Sequence, residues 1–164
     1  DSSASGGAVP KHPIIFSKVP ESVVPTGADV VIDPQVSVAI DYEAELAVII
    51  GKGGRGIARE NALDHVWGYT IVNDATVRDW QLRIPTWTMG KSFDTHGPIG
   101  PWIVTADELR DPHRLALRTW VNGELRQDSN TKELIFDCFA LVEHLSTALT
   151  LEPGDVIRVP ERFF

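Results

Sequence analysis

Eleven residues, Asp41-Tyr42-Glu43-Ala44-Glu45-Leu46-Ala47-Val48-Ile49-Ile50-Gly51, set the first constraint on this chain. The Val and Ile content and the closing glycine mark a β-strand, and its entrance carries two carboxylates two residues apart. Side chains alternate along a strand, so Glu43 and Glu45 leave the same face with Cα atoms roughly 6.6–7 Å apart. Like charges on one face repel, and that face continues as Ala47 and Ile49 rather than as polar residues. Something must compensate the pair, and the economical choices are a bound cation or a basic side chain.

The remaining chemistry-bearing residues are read against this pair. Gly68-Tyr69-Thr70-Ile71-Val72 reads as a strand that delivers Asn73-Asp74 to its carboxyl end, a place where sites form. Glu43, Glu45 and Asp74 together suit a hard ion, Mg²⁺ or Mn²⁺, with open positions for water or substrate oxygens. Zinc fits less well, because no His or Cys lies at ligand spacing. Arg78 and Gln81 stand three apart on an expected helical turn over residues 75–83, share a face, and can orient polar substrate groups. Lys91, in Met89-Gly90-Lys91-Ser92-Phe93, can hold a carboxylate or polarise a carbonyl. Each has an ordinary alternative: a solvated strand face, a turn aspartate, a helix surface, a surface lysine. His12, His65, His96, His113 and His144 show no metal spacing and read as structural. Gly51-Lys52-Gly53-Gly54-Arg55-Gly56 lacks the residue order of a phosphate-cradling loop.

Strands are expected at residues 14–16, 30–32, 36–50, 68–72, 102–104, 115–121, 125–127 and 156–159, with helices over 58–67 and 131–149. Asn122-Gly123 predicts a type I′ hairpin turn, and Thr105-Ala106-Asp107-Glu108 carries a helix-capping pattern. The 164 residues, 43% hydrophobic and 23% charged, suit one domain over 1–164, with residues 1–12 a flexible N-terminal remnant. A net charge of −8 argues against nucleic acid or an anionic membrane as partner. No apolar run has the length of a membrane span, and no signal pattern opens the chain. The single cysteine, Cys138, rules out an internal disulfide and fits a reducing compartment, so a cytoplasmic location is expected.

In order along the chain, Asp41-Tyr42-Glu43-Ala44-Glu45-Leu46, Gly68-Tyr69, Asn73-Asp74, Arg78-Asp79, Gln81, Gly90-Lys91-Ser92-Phe93-Asp94 and Pro98-Ile99-Gly100-Pro101 resemble the fumarylacetoacetate hydrolase family. Val121-Asn122-Gly123-Glu124, Gln127, Asn130-Thr131 and Leu151-Glu152-Pro153-Gly154-Asp155 extend the resemblance over about residues 13–157. It implies an α+β, mostly β fold, the mixed β-roll of that family's C-terminal domain with short helices, and a homodimer. It implies Glu43, Glu45 and Asp74 as metal ligands, Arg78, Gln81 and Lys91 as substrate contacts, and Lys91 as the catalytic group. The implied function is a Mg²⁺- or Mn²⁺-dependent hydrolase or decarboxylase acting on a small 2-oxo acid or 1,3-dicarbonyl compound through a metal-stabilised enolate. Alternatives are an isomerase or hydratase of aromatic catabolism, or a non-catalytic metal and oxo-acid binding protein. Two departures stand out. The family carries a His and a Glu in a lid segment upstream of the region matching Pro13, and residues 1–9 have neither. It also continues past the match to Ile157 with Thr-Gly-Thr-Pro, where this chain has Arg158-Val159-Pro160-Glu161-Arg162-Phe163-Phe164. The expectation is that both segments lie outside these 164 residues.

Overall fold

The computed structural model describes residues 10–160; the expected N-terminal remnant up to residue 9 and the last four residues lie outside them. The fold is mostly β with a few short helices, as expected. Strands β1 (Val23–Pro25), β3 (Ala44–Ile50), β4 (Val66–Asn73), β6 (Gly97–Thr105) and β9 (Val156–Val159) form one mixed sheet in the order β1-β6-β4-β3-β9. Strands β2 (Ile40–Asp41) and β5 (Thr76–Val77) form a short antiparallel pair, and β7 (Ala116–Val121) with β8 (Glu124–Asn130) a hairpin. The hairpin turns at Asn122 (φ 52°) and Gly123 (φ 81°), both left-handed as a type I′ turn requires.

The core forms on one face of β3. Leu46, Val48 and Ile50 join Tyr69 of β4, Ile157 and Val159 of β9, and Cys138, Leu141 and Val142 of helix α2 (Cys138–Ala148) in one buried cluster. Among the described residues, no helix is long and apolar enough to cross a membrane.

Several expected elements differ. Residues 14–16 and 30–32 are not strands: Ile14, Ile15 and Phe16 line a cavity, and the Val31 N–H donates to the Thr95 hydroxyl (2.8 Å) instead of to a ladder partner. The helix expected over 58–67 is a 3₁₀ segment, Arg59–His65, because Val66 and Trp67 are drawn into β4. The helix expected over 131–149 is split. A 3₁₀ turn spans Thr131–Glu133, and α2 starts only where the Asp137 side chain accepts the Ala140 N–H (2.8 Å) as an N-cap. The capping pattern at 105–108 closes a turn, with the Glu108 and Leu109 N–H groups donating to the Thr105 carbonyl, and no helix follows.

Candidate active site

The register of β3 against β4 brings the carboxylates together. Ala44 faces Asn73, so Glu43, just before β3, lies beside Asp74, just after β4. The Asp74 N–H donates to the Glu43 carbonyl (2.8 Å), and the Glu43 N–H donates to the Asn73 side chain (3.1 Å). Gln127 of β8 holds the next residue at both backbone groups: it accepts from Ala44 N–H (3.1 Å) and donates to Ala44 C=O (2.9 Å). On the other side, β9 pairs Arg158 with Ala47, which puts Arg158 on the Glu45 face, one diagonal step away.

Lys91 enters from the loop after helix α1 (Arg78–Gln81). The neighbouring Gly90 makes that approach possible: a Cβ there would fall 2.3 Å from the Gln81 nitrogen. Its carbonyl accepts the Val77 N–H (2.8 Å), which ties the loop to β5.

Glu43, Glu45 and Asp74 are all buried, and each offers an oxygen within 4.8 Å of the others. Among the described residues, four cations hold them. Glu43 contacts Arg78 Nη2 (2.7 Å) and Lys91 Nζ (2.5 Å). Asp74 contacts Lys18 Nζ through Oδ1 (2.7 Å), and Lys91 Nζ (2.9 Å) and Arg158 through Oδ2. Glu45 Oε2 lies 3.1 Å from Arg158 Nη1. Arg78 also donates to Asp41 (2.8 and 3.0 Å) and to Gln81 Oε1 (2.9 Å), which shows the expected shared face of Arg78 and Gln81. The Phe16 ring lies 5.4 Å from Lys91 Nζ and 5.2 Å from the Arg158 guanidinium carbon.

Burial and charge pull these groups apart in acidity. Burial pushes the Glu45 carboxyl up to about 8; the carboxylates of Asp74 and Glu43 add to the rise and Arg158 opposes it. Burial alone would raise Asp74 too, but Arg158, Lys91 and Lys18 outweigh it and hold the carboxyl down to about 2. Burial lowers Lys18 against the pull of Asp74.

Among the described residues the donor set is three carboxylates, without sulfur or imidazole, and it fits a hard divalent cation. A cavity of about 840 Å³ opens beside the cluster. Its wall is largely apolar, with Lys18, Glu45, Asp155 and Arg158 as its charged members, whereas Glu43, Asp74 and Lys91 are not in the wall.

All six residues singled out from sequence converge here: Glu43, Glu45, Asp74 and Lys91 in one cluster, with Arg78 against Glu43 and Gln81 against Arg78. Sequence reasoning missed Lys18 and Arg158. Lys18 lies 56 residues from Asp74 and carries no local signal. Arg158, a lone charge in Val156-Ile157-Arg158-Val159, was visible, but only the β3–β9 register gives it a partner. The histidines keep to structural places. Histidine 65 meets the Lys52 carbonyl (2.7 Å), His96 packs on Phe93, His113 meets Asp111 (3.2 Å), and His12 stacks on His144.

The profile described as fumarylacetoacetate (FAA) hydrolase C-terminal matches residues 2–159. The chain is 48% identical over 150 residues to an oxaloacetate tautomerase, fahd2, from Xenopus laevis, covering 90% of this chain and 47% of that protein. The 5-carboxymethyl-2-hydroxymuconate delta-isomerase of Mycobacterium smegmatis superposes with a TM-score of 0.79 at 38% identity, over 95% of this chain and 61% of that one. The maleylpyruvate hydrolase of Sphingobium sp. SYK-6, solved with manganese(II) and pyruvate, superposes with a TM-score of 0.76 at 38% identity, over 85% of this chain and 50% of that one. The chain thus spans about half the length of the curated relative it matches.

Proposed function

The chain belongs to the fumarylacetoacetate hydrolase family, whose members are enzymes, and on that footing we propose that it enolises a small 2-oxo acid at a Mg²⁺ or Mn²⁺ site formed by Glu43, Glu45 and Asp74. The observation that carries this is the buried three-carboxylate cluster with the Lys91 ammonium bridging two of its members. An ion held there would supply Lewis-acid polarisation of the 2-oxo carboxylate group. Lys91, buried against Glu43 and Asp74, would donate Nζ–H groups to the oxygen that gains negative charge in the enol. Arg78, held by Asp41, Gln81 and Glu43, would supply fixed positive charge toward a substrate carboxylate. The cavity beside Glu45 receives the rest of the substrate.

Enolisation is the step shared by tautomerisation, isomerisation, decarboxylation and C–C hydrolysis of such compounds. Keto–enol interconversion of an oxaloacetate-like acid is the outcome we favour. The 48% identity over 150 residues to an oxaloacetate tautomerase supports that outcome. The second reading is C–C hydrolysis of an acylpyruvate, favoured by the likeness to a hydrolase solved with pyruvate and manganese. Residues 1–164 acting as one catalytic domain of a homodimer are part of the same proposal; sedimentation reads the dimer.

The test is a substrate panel with metal-stripped protein reloaded with Mn²⁺ or Mg²⁺, which also ranks the two ions. Loss of the enol absorbance of oxaloacetate should accelerate, and Lys91→Met should slow it about a hundredfold or more while still binding Mn²⁺. Cleavage of an acylpyruvate without enol turnover would favour the second reading. Inertness toward oxaloacetate, acylpyruvates and a hydroxymuconate alike would overturn both.

A further inference from the structure

We propose that the Arg158 guanidinium is the resident counter-ion of the carboxylate cluster, and that a divalent ion binds by displacing it from Glu45 and Asp74. This rests on the metal reading above. Among the described residues, Arg158 is the cation that contacts both carboxylates, 3.1 Å from Glu45 Oε2 and against Asp74 Oδ2. An ion coordinated by those two oxygens needs the space that Nη1 fills, so the two states exclude each other.

The way out is also visible. Arg158 and Glu45 line the cavity, whereas Asp74 does not, so the arginine has the cavity to move into when it leaves Asp74. Strand β9 is the outermost strand of its sheet, held to β3 by the pairing of residues 46–49 with 156–159. Its side chain can swing toward the cavity without breaking that ladder. The exchange adds one positive charge, a divalent ion for one guanidinium, beside three clustered carboxylates that Lys18 and Lys91 also contact. The chain therefore carries its own competitor for the metal, and metal affinity is set partly by a residue that is not a ligand.

Calorimetric titration of the metal-stripped full chain with Mn²⁺ tests this in wild type and Arg158→Met, which keeps an apolar stem without the charge. The variant should bind Mn²⁺ about tenfold tighter or better, since it no longer trades an ion pair for the metal. Its melting temperature should fall below wild type without metal and match wild type at saturating Mn²⁺. A second measurement needs no disruptive variant: the Arg158 Nε–H resonance of the wild type, identified by its loss in Arg158→Lys, should move on saturation with diamagnetic Mg²⁺. Equal or weaker Mn²⁺ binding by Arg158→Met, or an unmoved Arg158 resonance at saturation, overturns the displacement and leaves the metal site standing. Failure of both proteins to bind Mn²⁺ overturns the displacement and the metal reading together.

Discussion

On one face of β3, Leu46, Val48 and Ile50 sit in a core with Cys138, Leu141 and Val142 of α2; on the other, Glu45 meets Arg158, and Glu43 just before the strand meets Arg78 and Lys91. Both faces are buried, the second with Glu45 at one end and the apolar Ala47 and Ile49 beyond it. The apolar face needs only area and shape, so any well-fitting neighbour serves. The charged face needs a named partner for each oxygen, and those partners come from four separate stretches of chain: residues 18, 78, 91 and 158. One strand thus anchors the fold with one side and holds the candidate site with the other, so the two roles should separate by mutation.

The largest expected effect falls on the charged face. Asp74→Asn should abolish Mn²⁺ binding and lower turnover of a responsive 2-oxo acid by about a thousandfold, while the far-ultraviolet spectrum stays native. Retained turnover would break the assignment. The mirror experiment is on the core face: Ile50→Ala should cost about 2–5 kcal/mol in denaturant unfolding and leave Mn²⁺ affinity within about twofold. A large loss of affinity would mean that the two faces do not act separately.

Acidity sharpens the contrast, because the core face does not titrate. With Glu45 raised from 4.5 to about 8, the folded metal-free protein keeps a proton that the unfolded chain has lost, so this group's stabilisation is present below pH 4.5 and is lost as pH rises through 8. Asp74 runs the other way. Its carboxyl drops from 3.8 to about 2, and its contribution is lost as pH falls through that range. Metal must bind ionised Glu45, so affinity should rise about tenfold per pH unit from 6 toward 8 and level off above, with nearly one proton released at pH 7. Titration in buffers of different ionisation enthalpy reads that proton, and Glu45→Gln should remove it. The smallest effect concerns the link between the site and the hairpin: Gln127→Ala, which frees both backbone groups of Ala44, should cost about 1 kcal/mol and weaken metal only slightly.

What could be read from sequence was what short-range geometry encodes. Glu43 and Glu45 share a face by strand alternation, Asp74 ends a strand, and Asn122-Gly123 turns a hairpin as its φ angles require. The carboxylates' need for compensation was legible for the same reason, but two of the compensating cations were not. Lys18 reaches Asp74 from a stretch without regular structure, and Arg158 depends on β9 pairing with β3 in one particular register. Tertiary pairing also explains the misread elements. Val66 and Trp67 continue an apolar helical pattern yet are taken by the ladder of β4, and Ile14, Ile15 and Phe16 have strand-like composition but spend it on the cavity wall.

The measurement that tests the central claim most directly is a calorimetric titration of the metal-stripped protein with Mn²⁺, with and without oxalate as a mimic of an enolised 2-oxo acid. A three-carboxylate site with open positions predicts one ion per chain, tighter binding when oxalate is present, and no binding by Asp74→Asn under either condition. Mn²⁺ binding that survives Asp74→Asn, or no binding by the wild type even with oxalate, would contradict it.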